Sequence, residues 1–487
     1  MKNIKYIIAT ICCLIMITSC EDFLDVKPTN QADSSTSVEN AKDAQVMLNG
    51  IIRKLSSSSF YGRNFILYGD TKGGDLTIES QGRGMDGLYV FNHSSNSGSY
   101  SGFWSQGYHC IMQTNNLIEN IDRLKEGGNN DLDEYKAQAL TIRAMLHFDL
   151  CRLYGKSYND DKNAWGVPVV TSLLSASAQP LRESVDNTYK QVLADLDEAA
   201  PSLSKDVKQG YFNYYANRAL KARVLLNMDD YAGALACAKE IIGCGVYELY
   251  SNSNWGQSWS KQWGEESILE IGMYDNEGDL GKSSLGAYFS KGKTISTSPQ
   301  YFMASNYFLA RLGEDMDDIR WCVMGEDDIA VNQSIERLGS CYKYLGGTSM
   351  TGDGKASSTA VNIKLIRLSE IYLIAAECAL QTDKQAAADY LNAIRKRSPN
   401  LAPATASTVS LQMILDEKSK EFFGEGLRFF DLIRTNQTIT FDDETPGIDP
   451  IHREKTIDRT FFKTILPISQ DDINTNPGLA AQQNPGY

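Results

Sequence analysis

The segment Asn217-Arg-Ala-Leu-Lys-Ala-Arg-Val-Leu-Leu-Asn-Met-Asp-Asp-Tyr-Ala-Gly-Ala-Leu-Ala-Cys-Ala-Lys-Glu-Ile-Ile242 decides the fold. Its apolar side chains recur at three and four residues, the spacing of one helix face. The pattern breaks at Met228–Asp230, so the segment reads as two helices joined by a tight turn. The segment 363–398, IKLIRLSEIYLIAAECALQTDKQAAADYLNAIRKRS, reads the same way. There Leu365, Leu368, Tyr372, Ala375 and Ala379 fall on one face. Offset by 154, Ala222 meets Ala376, Leu226 meets Leu380, Asp229 meets Asp383, Ala232 meets Ala386 and Ala234 meets Ala388. Small residues on facing surfaces let two helices approach closely, and an aspartate in the turn caps the second. Turn, cap and small residues agree on a repeated helical hairpin of the tetratricopeptide kind.

Working outward, helices are expected from near Val38 to Leu55, over 108–124, through EYKAQALTIRAMLHFDLCRLYG (134–155) and over 185–203. A last helix is expected over 411–434, broken at Gly424–Gly426. Residues 56–103 are rich in glycine and serine and read as loop with short strands. Between 246 and 362 the helical period fades, and SILEIGMY (267–274) reads as a strand. This stretch is expected to be a large, irregular, partly β insertion projecting from the scaffold and forming the ligand face. The tail beyond 435 reads as irregular. The fold class is therefore mostly α: a tetratricopeptide-like hairpin scaffold carrying that insertion. Its divisions are a helical region over 41–245, the insertion over 246–362, and C-terminal helices with the tail over 363–487.

The N-terminus carries Lys2, Lys5 and an apolar run from Tyr6 to Ile17, ending at Thr18-Ser19-Cys20 before Glu21 and Asp22. That run is too short to span a bilayer and suits a secretory signal peptide over 1–19. The ending suits a lipoprotein box with Cys20 lipidated and 20–40 as a tether. Acyl chains hold such a protein to its membrane, each buried CH₂ adding about 0.8 kcal/mol.

Without residues 1–19, Lys plus Arg falls from 47 to 45 against 61 Asp plus Glu, a formal charge of −16. Nucleic acid is excluded as a partner, because its phosphates would be repelled. The seven cysteines after Cys20 are odd in number and form no CxxC, so no disulfide framework is read. Gly82-Arg83-Gly84-Met85-Asp86-Gly87 fits GxGxxG but lacks the strand before and the helix after that dinucleotide binding needs. No nucleophile elbow, zinc-protease motif or P-loop occurs, and the four histidines show no ligand spacing. The acidic groups Glu314–Asp318 and Glu326–Asp328 lack full EF-hand spacing. They read as solvated loops rather than a structural calcium site, and no cofactor is expected.

What remains is aromatic. Four of the six tryptophans lie between 255 and 321, and there are 25 tyrosines. An aromatic ring stacks on the C–H face of a sugar while polar neighbours bind its hydroxyl rim. Tyr89, Phe91, Tyr288, Tyr301, Trp321 and Tyr344 lie in loop-like sequence, with Asp70 and Arg83 as polar candidates. Trp255, Trp259 and Trp263, four apart, are assigned to one helix face in the scaffold.

Several blocks together resemble one family: SCEDFLDVKP, WSQGYHCIMQTNNLIENI, RAMLHFDLCRLYG, WGVPVV, RESVDNTYKQVLADLDEAA, ANRALKARVLLNMDDYAGALACAKEII, IRLSEIYLIAAECAL, LDEKSKEFFGEGLRFFDLIR and ILPISQDDINTNPGLAAQQNPGY. In order and spacing the chain is similar to the SusD/RagB lipoproteins of Bacteroidetes. The resemblance implies a surface-exposed, lipid-anchored outer-membrane protein without catalytic activity. It would capture oligosaccharide or polysaccharide and deliver it to a SusC-like TonB-dependent transporter. Peptide or protein cargo is the alternative the family allows; a glycan-processing enzyme is a more distant one. Arg143, Glu370, Glu377, Glu425, Arg428 and Arg434 fall in the matching blocks and are expected to form charged pairs between helices, not sites.

Overall fold

A computed structural model describes residues 37–78, 86–96, 101–128, 131–274, 280–291, 298, 300–345, 360–441 and 452–487. The signal peptide, Cys20, most of the tether and Arg83 lie outside the described residues.

The described chain is mostly helical. The principal helices are α1 (Ala41–Leu55), α2 (Asn64–Thr71), α3 (Ser101–Glu126), α4 (Asp133–Tyr154), α5 (Val185–Ala199), α6 (Tyr214–Asn227) and α7 (Tyr231–Ile242). After them come α8 (Leu285–Phe289), α9 (Asn306–Leu312), α10 (Leu368–Ala379), α11 (Lys384–Arg395), α12 (Leu411–Glu421) and α13 (Arg428–Arg434). They form a continuous stack. α1 packs on α3, α3 on α4, α4 on α5, α5 on α6, α6 on α7, α7 on α10 and α10 on α11.

Side-chain caps fix where several of these helices start. Asn40 accepts from the backbone N–H groups of Lys42 and Asp43 at α1. Ser184 does so at α5 and Asn213 at α6. Asp383 caps α11 by accepting from Ala386 N at 3.0 Å. In the other hairpin the cap is Asp230, which accepts from Gly233 N at 2.9 Å. Asp229, paired above with Asp383, instead turns the chain at φ 59°. The two hairpins thus share their cap but differ by one residue in the turn. Alanines 219 and 222 of α6 and 234 and 238 of α7 are buried, as are 375, 376, 379, 387 and 388 in α10 and α11.

The described parts of 246–362 do not stand apart from the scaffold. Its strand β2 (Ser267–Ile271) pairs antiparallel with β6 (Ile363–Arg367), which runs directly into α10. Its strand β3 (Met303–Ala304) pairs with β1 (Leu76–Thr77). β4 (Met324–Gly325) pairs with β5 (Ser340–Cys341), and β7 (Ile439–Thr440) with β8 (Thr456–Ile457). One apolar core runs through helices and insertion alike. The tail is irregular but clamped. The Arg182 guanidinium donates to Tyr154 O, Gly166 O, Trp165 O, Gln482 O and Asn484 Oδ1. Leu466 N also donates to Leu153 O at the end of α4.

The expected charged pairs between elements are present. Arg143 meets Asp195 at 2.7 Å, Arg223 meets Glu370 at 2.6 Å and Arg434 meets Glu377 at 2.5 Å. Glu425 takes Lys343 and Arg367, and Arg428 lies 3.4 Å from Asp75. The tryptophan expectation needs correction in form. Trp255 and Trp259 are buried scaffold, but they sit on a 3₁₀ turn, Trp255–Ser260, and Trp263 leaves it at φ 47°.

Candidate functional site

Burial sorts the candidate aromatics. Tyr89 and Phe91 are fully enclosed. Their rings pack edge-on against Phe441 at 5.9 and 5.8 Å, and the Arg453 guanidinium lies over Tyr89 at 4.8 Å. Tyr344 is 1% exposed and packs edge-on against Trp259 at 5.9 Å. Asp70 is also 1% exposed. Burial pushes its carboxyl well above the usual range, against the pull of a backbone hydrogen bond from Gly426. These four are not presented to a ligand; they belong to the core. Glycine-rich local sequence suggests exposure, but their covers come from residues 259, 426, 441 and 453, far along the chain. Trp321 is half-buried, with its indole Nε1 donating to Asp315 O at 3.2 Å, and stands apart from the others.

Tyr288 and Tyr301 do come together. Their ring centroids lie 4.7 Å apart at 51°. The Arg63 guanidinium sits over the Tyr288 ring at 4.5 Å. Each is placed by local structure. Ser284 caps α8 by accepting from Ala287 N, setting Tyr288 on its last turn. Gln300, at φ 35°, is pinned because its amide donates to Ser340 Oγ and its carbonyl accepts from Asp328 N. Tyr301 N then donates to Tyr288 O at 3.0 Å. Arg63 ends the loop before α2 and donates to Ser283 O at 3.0 Å and to Asn64 Oδ1 at 2.9 Å. Burial lowers the Arg63 pKa and raises that of Tyr288. Sequence reasoning missed Arg63, because nothing local distinguishes it from any other surface arginine.

Behind this cluster α8 meets Tyr344 backbone to backbone: a Cβ on Gly286 would fall 2.3 Å from Tyr344 O. A small cavity of about 10 Å³ opens there, bordered by Gly62, Met273, Leu280, Leu285 and Tyr344. The Tyr344 hydroxyl is buried without a hydrogen-bond partner among the described residues. Tyr288, 9% exposed, belongs to the apolar core beneath Arg63 and Tyr301, so the cluster offers the half-buried Tyr301 ring, its hydroxyl and the Arg63 guanidinium. That set can stack on a flat apolar face and donate to hydroxyls.

The acidic groups serve structure. Asp318 pairs with Arg320 at 2.6 Å, Asp315 accepts from Asn400 N at 2.8 Å, and Asp327 caps the following turn through Ala330 N. Among the described residues, no group of three His, Cys, Asp or Glu is placed to hold a metal. His147 is a packed histidine whose Nε2 accepts from Val170 N at 3.2 Å; burial takes its pKa down to about 3. Burial pushes the Cys151 and Cys378 thiols up to about 12, which leaves them inert. Among the described residues, no helix is long and apolar enough to cross a membrane.

Comparison with known proteins agrees with this architecture. A family model described as the SusD family matches residues 315–487. A second, described as starch-binding associating with outer membrane, matches residues 22–226. The starch-binding protein SusD of Bacteroides thetaiotaomicron is 32% identical over 72% of this chain and 72% of its own. A SusD superfamily protein of Bacteroides thetaiotaomicron, solved as a crystal structure, superposes with a TM-score of 0.83 at 32% identity, covering 91% of this chain and 99% of that one. Another, from Bacteroides vulgatus, gives 0.82 at 30% identity over 92% and 100%. The chain belongs to the SusD/RagB family.

Proposed function

We propose that this protein captures oligosaccharide or polysaccharide at the bacterial surface and hands it to a SusC-like TonB-dependent transporter, binding without catalysis. One observation carries the reading: a tyrosine pair under a guanidinium, held rigidly where the insertion meets α2. Rigid aromatic faces give contact area at low entropic cost, which suits sugar rings. The family supports it, since SusD of Bacteroides thetaiotaomicron is a starch-binding protein. Tyr301 and Arg63 form the proposed contact set, with the buried Tyr288 ring holding them from behind; Trp321 is a separate, half-buried contact, and Arg83 belongs with them by sequence alone.

Affinity electrophoresis across a polysaccharide panel tests this. Tyr301→Ala should weaken retention by about 1–3 kcal/mol, the range of a stacking hot spot. Unchanged mobility on every polysaccharide that retards the parent protein would sink the assignment.

Anchoring is proposed at Cys20, with the acyl chains in the outer membrane. Cys20→Ser should abolish incorporation of labelled palmitate and move the protein from the membrane to the soluble fraction. Persistent labelling in that variant would refute lipidation at Cys20.

A further inference from the structure

A second cavity lies away from the Tyr288–Tyr301 pair, where β1, α9, α13 and β7 meet. It encloses about 190 Å³ and is bordered by Gly73, Gly74, Tyr307, Gln412, Arg428 and Gln437. We infer that it is a second carbohydrate site, taking one neutral pyranose unit; this inference rests on the reading that the cargo is glycan.

The aromatic platform is Tyr307 on the first turn of α9, 44% exposed where most aromatics of this chain are enclosed. Its position is fixed from below. Ser305 Oγ accepts from Phe308 N and donates to Gly74 O at 2.8 Å, and Ser305 N donates to Asp75 O at 2.8 Å. Phe308 stacks on Phe423 with centroids 3.9 Å apart.

The floor depends on two glycines. A Cβ on Gly73 would lie 2.5 Å from Arg428 Cγ. Gly74, at φ 82°, would place one 2.5 Å from Thr440 O. Side chains at either position would fill the cradle.

The lining holds unspent hydrogen-bonding capacity. Arg428 is held by the protein itself: its Nη1 donates to Leu415 O at 2.9 Å and its buried Nε faces Asp75 Oδ2 at 3.4 Å. Gln412 and Gln437 each spend one amide N–H, on Asp416 and on Thr435 O, which leaves a second N–H and the side-chain carbonyl of each. Two amides, each with a donor and an acceptor, and one aromatic face match a ring with hydroxyls on its rim and C–H groups on its faces.

Charge selects a neutral sugar. Arg311 pairs with both Asp75 and Asp416, and Arg428 lies against Asp75. Two cations meet two carboxylates, so the cavity carries no excess positive charge, and the strongly acidic chain disfavours an anion.

The test is saturation-transfer NMR on the full chain with glucose, galactose, mannose and xylose as neutral probes and galacturonate as the acidic one. At least one neutral sugar should give a signal that falls about fivefold in both Tyr307→Ala and Gln437→Ala and survives in Tyr301→Ala. Both substituted side chains line an open cavity, and unchanged melting curves verify folding. No neutral sugar with a signal sensitive to Tyr307, or galacturonate alone showing it, would overturn the inference. Loss of the Tyr301-dependent response with the Tyr307-dependent one retained would count against the first site and uphold this one.

Discussion

Glu421→Ala should lower the stability of the folded protein by about 3–5 kcal/mol, the cost of opening a buried ion-pair network from one side. Glu421 is 0% exposed at the end of α12. Its carboxylate meets Arg367 Nη1 at 3.0 Å, Arg397 Nε at 3.0 Å and Arg320 Nη1 at 3.5 Å, and it accepts from Trp255 Nε1 at 3.3 Å. Its backbone carbonyl accepts from Lys343 Nζ at 2.8 Å. Trp255 and Trp259 lie over Arg397 and Arg367 as flat covers. The substitution leaves three guanidiniums short of one anion in a site closed to water. Denaturant unfolding measures the loss; a change under about 1 kcal/mol would mean that Glu266, Glu417 and Glu425 compensate fully.

The same residue sets an acid limit. Burial alone would raise the Glu421 pKa, but the fields of Arg397, Arg367, Arg320 and Lys343 outweigh it and hold it at about 2, below its ordinary 4.5. A carboxylate with a depressed folded-state pKa contributes stability above its unfolded value and loses it as the pH falls through the folded one. The parent protein should therefore lose this contribution between about pH 4.5 and 2, and the Glu421→Ala variant, lacking it from the start, should show a shallower decline there. This network joins the insertion to α12, so the surface bearing Tyr301 shares its acid limit.

Much of this was readable in the sequence, and the reasons differ by element. The hairpins within 217–242 and 363–398 declare themselves through their alanines and the aspartate cap of each second helix, although residues 363–367, read as helix, form β6, and α6 and α10 are buried nearly all round. The break in 411–434 was legible because Gly424 and Gly426 adopt φ 83° and 79°. Helix α2 was invisible: Phe65 through Thr71 are all buried, so no polar face gives the segment a period, and its glycine reads as loop. The site was half legible for a related reason. Aromatic enrichment marks the insertion, but whether a given ring is covered depends on residues hundreds of positions away. Tyr89 is closed by Phe441 and Arg453, whereas Tyr301 is not.

Gly69→Ala should destabilise by about 3 kcal/mol, at the upper end of overpacking costs. Gly69 lies in α2, and a Cβ there would stand 1.9 Å from Gly426 O and 2.5 Å from Gly426 C. The facing residue cannot yield easily. Gly426 is itself left-handed, and a Cβ on it would meet Ile66 Cα at 2.7 Å. Its neighbour Glu425 is bound by Lys343 and Arg367, and Asp70 accepts from the Gly426 backbone. Two backbones therefore touch with no side chain able to move aside. Gly50→Ala is the contrast: it sits exposed within α1 with no heavy atom within 4 Å of a Cβ. It should stabilise by about 0.5–1 kcal/mol through helix propensity alone. Paired melting curves read both signs. A Gly69→Ala protein as stable as the parent would show that α2 can shift freely. The forced displacement of α2 would carry Arg63, at its N-terminus, away from Tyr288, so glycan retention should fall in Gly69→Ala and stay unchanged in Gly50→Ala.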